Sequence, residues 1–180
     1  MKKKLAMIAA LALFFSVWQT GVAFAAPLKE EELVTEQVIS SVTEYYEDGS
    51  YDVTEVAVCI DGDDLVGENV ASTQATSGSI TGSKLTTHYD SSKNKLYALK
   101  VYGTFFYNGS TVSCNGRSYQ TYVYNSAWTV ENVTTAASGN GTEKAASTAS
   151  GNGVKHLLGI PIQYSDITVT VYCSKTGKLS

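Results

Sequence analysis

The sequence predicts an all-β protein, and three observations carry that prediction. Apolar and polar residues alternate with period two over short runs, most clearly across residues 96–114 and 167–173. Asn-Gly at 108–109 and Asp-Gly at 48–49 stand where tight hairpin turns would fall. The tetrapeptide Ser-Gly-Asn-Gly occurs at 138–141 and again at 150–153, a spacing that suits one strand plus one turn. Seven or so strands, with Trp128 as a core ring and cysteines ending two apolar stripes, point to an antiparallel two-sheet β-sandwich. Its general architecture is immunoglobulin-like, with an N-terminal β-hairpin in addition. The strand order is not readable.

The segment LYALKVYGTFFYNGSTVSC at 96–114 organises the rest. A type I′ turn needs φ > 0 at both central residues, which Asn108 and Gly109 tolerate. A two-residue loop pairs Tyr107 with Ser110, Phe105 with Val112 and Gly103 with Cys114. Leu99, Val101, Gly103, Phe105, Val112 and Cys114 then share an inward face. Lys100, Tyr102, Thr104, Phe106, Thr111 and Ser113 share the other, a mixed polar and aromatic set suited to water. The missing side chain of Gly103 leaves space for Cys114 to reach a second layer. Ile167, Val169, Val171 and Cys173 form a similar stripe near the C-terminus. In an exported chain the expectation is a Cys114–Cys173 bridge, which by loop-closure entropy contributes about 4 kcal/mol. Two buried thiols are the alternative. Cys59 is the odd cysteine, on the strand face shared with Ala57, and its redox state is left open.

Residues 1–25 read as a signal peptide. Lys2, Lys3 and Lys4 form the charged head, LAMIAALALFFSVW the apolar core, and Ala23-Phe24-Ala25 the cleavage box. A retained membrane anchor is the alternative, but the apolar run is short of the about 20 residues a spanning helix needs; no second run of spanning length follows, so no membrane span is expected after signal removal. The mature chain then carries ten basic against seventeen acidic side chains. These are distributed unevenly: residues 26–68 hold thirteen acidic groups and a single lysine, whereas residues 69–180 hold four acidic and nine basic ones. A solvated acidic face is the plain reading; a propeptide-like segment is the other.

The organisation follows from composition. Residues 26–66 form an acidic N-terminal segment with a hairpin turning at Asp48-Gly49, where a two-residue loop pairs Tyr46 with Tyr51 and Glu44 with Val53. The preceding LKEEELVTEQVIS has a poor apolar stripe and is left unassigned. Asp61-Gly-Asp-Asp64 lacks the oxygen ligand, glycine and glutamate that an EF-hand loop requires at its later positions, so it is not read as a calcium site. Residues 67–83, rich in Gly, Ser and Thr, read as a linker. Residues 84–180 form the β-sandwich body, with strands near 84–89, 96–114, 118–124, 127–136, 142–149 and 157–173. Both Ser-Gly-Asn-Gly repeats are taken as turns. Pro161 cannot donate to a ladder and marks a bulge, a strand start or an edge.

The run KVYGTFFYNGSTVSCNGRSYQTYVYNSAW, followed by GIPIQYSDITVTVYCSKTGKLS and preceded by YYEDGSY, resembles a family of small secreted β-rich proteins of Gram-positive gut bacteria. The family has no known activity. The resemblance covers most of the mature chain and rests on turns, core aromatics and cysteines. It implies export, a β-sandwich and the bridge, and it implies no catalytic residue.

The only histidines, His88 and His156, lie in no catalytic signature, so the chain is expected not to be an enzyme. No cofactor motif is present, and a zinc set of His88, His156 and Cys59 has no close-spaced ligand pair. An acidic exported chain without a Lys/Arg cluster does not suit nucleic acid. Tyr102 and Phe106, two apart on the outward hairpin face, are the candidate binding residues for a cell-wall glycan or an extracellular protein. The expected role is that of a secreted, non-enzymatic extracellular or cell-envelope binding module. The alternative is a bacteriocin-like or wall-active effector restrained by its acidic N-terminal segment.

Overall fold

The computed structural model describes residues 35–60 and 77–180. The signal peptide, the Asp61–Asp64 run and most of the expected linker lie outside these residues. Within them run eight strands: β1 (Thr35–Tyr45), β2 (Tyr51–Ile60), β3 (Gly78–Tyr89), β4 (Lys95–Tyr107), β5 (Val112–Val123), β6 (Trp128–Ser138), β7 (Lys144–Leu157) and β8 (Ile160–Ser174). β1 to β5 form one antiparallel sheet in chain order, and β6 to β8 form a second. The two stack as a β-sandwich. Leu99, Val101, Phe105 and Val112 of the first sheet meet Ala145, Ala149, Val169 and Val171 of the second, and Tyr97 and Trp128 join the same core. Both sheets are simple meanders, and the chain passes once between them, from β5 to β6.

The organising hairpin keeps its faces but not its register. Tyr107 pairs with Val112, Phe105 with Cys114 and Gly103 with Arg117, around a bulge at Asn115. Only Gly109 has positive φ (80°), so the turn is not type I′. Asn108 Oδ1 instead accepts from the N–H groups of Ser110 (3.0 Å) and Thr111 (2.8 Å), and the Gly109 N–H donates to the Lys175 carbonyl (3.0 Å). This side-chain turn and its tertiary anchor favour a four-residue loop. Near the turn the slip is two residues and side chains alternate with period two, so the inward set is unchanged. Phe105 is fully buried. The space over Gly103 is filled by the Phe105 ring, which stands 2.6 Å from where a Cβ would be, and not by sulfur.

At Asp48-Gly49 the slip is one residue, and it matters more. The Gly49 N–H donates to the Tyr46 carbonyl (3.0 Å) with Gly49 at φ 82°, giving a three-residue loop with a glycine bulge. Tyr45 therefore pairs with Tyr51, and Glu44 with Asp52 rather than Val53. A one-residue shift exchanges the faces of one strand against the other. The acidic hairpin, which the sequence leaves open as an edge or an appended ribbon, is the edge of the main sheet, since β2 pairs with β3 from Tyr51–Tyr89 to Cys59–Thr81.

Three further expectations change. Residues 78–83, read as linker, are the first half of β3. Their small side chains suit the close approach of Leu179, which stands 2.4 Å from where a Cβ on Gly82 would sit. The second Ser-Gly-Asn-Gly is not a turn but the middle of β7, paired with β6 and β8 on either side. Its glycines are needed for packing: a Cβ on Gly153 would stand 2.3 Å from the Tyr97 ring and one on Gly151 2.9 Å from Val133. The first repeat is a turn, with Gly139 and Gly141 at φ 70° and 76°. Finally, β7 and β8 are joined by a two-residue turn at Leu158-Gly159 (φ 52° and 80°), where the sequence reading ran one strand from 157 to 173. Pro161 sits on β8, an outer strand, beside a register shift at Lys155/His156.

Candidate functional site

In the five-stranded sheet, alternation sends Lys100, Tyr102 and Thr104 of β4 to the face turned away from the second sheet. β2 contributes Cys59 to that face and β3 contributes Thr81 and Ser83. Glu36, on β1, belongs to it as well, because it pairs with Cys59, which pairs with Thr81 and so with Thr104. β1 and β4 are separated by two strands, a lateral distance of about 14 Å in a flat sheet. Yet the Lys100 ammonium donates to Glu36 Oε2. The sheet must therefore coil until its first strand leans over its fourth, which makes this face concave. The result is a gutter of about 780 Å³ lined by Glu36, Thr81, Lys100, Tyr102, Arg117 and Tyr122, among others.

Lys100 forms the floor of the gutter, its side chain only 9% exposed. Burial alone would lower its pKa, but the hydrogen bond and charge of Glu36 outweigh that and hold it above the usual lysine value. Glu36 Oε1 also accepts from Ser83 Oγ (3.2 Å) and faces Cys59 Sγ (3.8 Å). The Lys100 ammonium stands 5.1 Å from the centroid of the Tyr102 ring. The Tyr102 hydroxyl (3.3 Å) and the Tyr122 hydroxyl (2.8 Å) both donate to Gln120 Oε1. Tyr122 in turn lies parallel to Tyr124 at 6.3 Å, with Lys95 over the Tyr124 ring. Flat rings fixed by their hydroxyls, beside charged and amide groups, can stack on an apolar ring face while hydrogen-bonding its edge.

Of the two residues singled out in the sequence, Tyr102 is half-buried in this gutter. Phe106 is exposed on the same face but lines a different hollow, with Ser79, Tyr107 and Ser113. The sequence reading missed Glu36, Lys100 and Tyr122. Tyr122 was legible as part of a period-two run, whereas the pairing of residues 64 positions apart was not.

The expected Cys114–Cys173 bridge is absent from the structure, where both residues are buried thiols of one core. Cys114 Sγ–H donates to Gly116 O (3.3 Å) and Cys173 Sγ–H to Ser174 O (3.4 Å), each within its own strand, and Cys114 also meets the Ser147 hydroxyl of the facing sheet. Burial raises the Cys114 thiol, and burial together with the nearby Cys114 pushes Cys173 up to about 11. Both are protonated and unreactive at neutral pH.

A second hollow of about 510 Å³ opens between the sheets, lined by Glu44, Asp48, Asp52, His88, Tyr97 and Asp166, among others. Asp52 accepts from the Tyr46 hydroxyl (2.7 Å) and pairs with His88 Nδ1 (2.6 Å). Burial, then Asp52, raises the Tyr46 phenol. The His88, Tyr97 and Trp128 rings pack side by side. His88 lies here, His156 in the second rung from the β7–β8 turn beside Thr129 (3.0 Å), and Cys59 in the gutter, so the zinc set considered from sequence does not converge. Among the described residues no helix is long and apolar enough to cross a membrane. No family model, curated protein or solved structure matches the chain.

Proposed function

We propose that the protein is an exported, non-enzymatic binding module that holds a cell-wall glycan or an extracellular protein in the gutter of its five-stranded sheet. The observation that carries this reading is the arrangement of Tyr102 and Tyr122, tethered to one amide beside the Lys100–Glu36 pair in an open concavity. An effector released by loss of its acidic segment is the poorer reading, because β1 and β2 supply two of five strands and Glu36 holds Lys100. The test is a screen of the secreted protein against peptidoglycan, teichoic acid and soluble glycans. Tyr102→Ala is expected to weaken the bound ligand about tenfold, at roughly 1.4 kcal/mol. Phe106→Ala, in its separate hollow, is expected to change little. Wild-type binding to none of these would remove the glycan reading, and equal losses in both variants would move the site out of the gutter.

Export also carries the proposal that Cys114 and Cys173 become bridged. Support comes from their placement, one in each sheet and near enough for Cys114 to raise Cys173. Since the folded thiols are poor nucleophiles, the bond would form before the core closes, by thiol–disulfide exchange with an extracellular disulfide oxidant that is itself reduced to its dithiol and so takes up the two hydrogens. Intact mass of the secreted protein is expected to be two hydrogens below the thiol form, returning to it on denaturation with reductant. A native mass equal to the all-thiol form would rule the bridge out.

A further inference from the structure

The β7–β8 hairpin ends in a group of apolar residues that the sandwich does not cover. Leu158 is 96% exposed, Ile160 65%, Leu157 60% and Ile162 53%, and Tyr164 follows at 64%. The first rung joins Leu157 to Ile160 and the next His156 to Pro161; β6 ends its pairing at Trp128–Lys155, and the last backbone tie to that side is the His156 N–H donating to the Ala127 carbonyl (2.7 Å), so the Leu157–Ile160 rung and its turn extend beyond it. The tip is thus a two-stranded ribbon projecting past its neighbour. Exposed apolar groups gathered at one apex mark an interaction site rather than ordinary surface.

The backbone makes the same point independently. Leu158 sits at φ 52°, a conformation that glycine and asparagine adopt readily and leucine resists. A leucine kept at a strained and fully exposed apex adds nothing to the fold, and such outliers gather where function holds them.

We infer that this tip inserts into the interfacial region of a lipid bilayer. Strand addition by a protein along this end of β8 is opposed by Pro161, which has no N–H to donate. Residues 154–165 contain no carboxylate, and Lys155 stands just below the apolar rungs, where it would meet anionic headgroups. Among the described residues, the carboxylate beside this end is Glu131, 3.4 Å from His156 Nε2. At about 3.3 Å per residue, Lys155 and Gln163 lie roughly 10–13 Å from the apex. That is close to the depth, about 5–10 Å, to which apolar faces sink at a membrane surface. Tyr164 is then level with the headgroups, where amphipathic rings settle. The element does not involve the gutter, so the two sites are independent.

The experiment is flotation of the full chain with vesicles of phosphatidylcholine, with and without phosphatidylglycerol. Wild type is expected to float with the vesicles, more strongly when phosphatidylglycerol is present. Leu158→Asp, at an exposed position whose backbone aspartate tolerates, is expected to lose about tenfold or more in partitioning. Leu158→Trp is expected to float and to shift its fluorescence to the blue on adding vesicles. No flotation of wild type with either vesicle, undiminished flotation of Leu158→Asp, or an unshifted Leu158→Trp spectrum would each overturn the inference. So would vesicle-independent dimerisation abolished by Leu158→Asp, which would make a second copy the occupant.

Discussion

Phe105→Ala is expected to lower the unfolding free energy by about 3–5 kcal/mol. The ring is fully buried at the centre of the sandwich, lying against Gly103, where an added Cβ would also stand 2.9 Å from Ser147 Cβ on the facing sheet. Truncation removes the hydrophobic transfer energy of the ring and leaves a cavity between two hydrogen-bonded sheets that cannot easily close over it. The next residue is the control. Phe106, of the same side-chain size, is half exposed on the opposite face, and Phe106→Ala is expected to change stability by no more than about 0.5 kcal/mol. Urea denaturation of both variants checks this, and comparable losses at the two positions would contradict the assigned faces.

Glu36→Leu is expected to cost about 3 kcal/mol, because it leaves the Lys100 side chain, only 9% exposed, without its counter-charge. The double variant Glu36→Leu/Lys100→Met is expected to recover most of that loss, since an apolar pair of similar volume does not carry the desolvation cost of two charges. A double variant no more stable than Glu36→Leu would mean that the effect of Glu36 does not run through Lys100. The pH dependence has a definite sign. The folded pKa of Lys100 is raised above its ordinary value of 10.5, so the stability it contributes is present below that value and is lost as pH rises through the folded pKa. The advantage of wild type over Glu36→Leu is therefore expected to persist at neutral pH and to shrink as pH rises through the 10.5 region, Lys100 losing its proton first in the variant, where burial alone lowers it, and then in wild type. Denaturation midpoints measured across that range read it directly.

The inward set Leu99, Val101, Phe105, Val112 and Cys114 was legible from alternation alone, and it survived a register slip because the slip was of even length. The Tyr45–Tyr51 hairpin had no such protection. Its slip was odd, and the identity of its turn rested on whether Gly49 closed a two-residue or a three-residue loop, which the Asp-Gly pair does not specify. Gly151 and Gly153 carried the composition of a turn but serve as places for Val133 and the Tyr97 ring to approach β7. Leu158-Gly159 carried no turn signal at its first position, because a leucine at positive φ is what local preference argues against.

By itself, the chain's pattern of residues determined an all-β sandwich, the faces of its central hairpin and the burial of Trp128, Cys114 and Cys173. These follow from period-two alternation, a local property of covalent geometry. The tertiary structure alone decided that the acidic hairpin is the edge of the main sheet, that Glu36 reaches Lys100, and that an apolar tip stands clear of the sandwich. Each depends on how strongly a sheet coils and where one strand outruns its neighbour. Those quantities are set by contacts between residues far apart in the chain, and no local pattern encodes them.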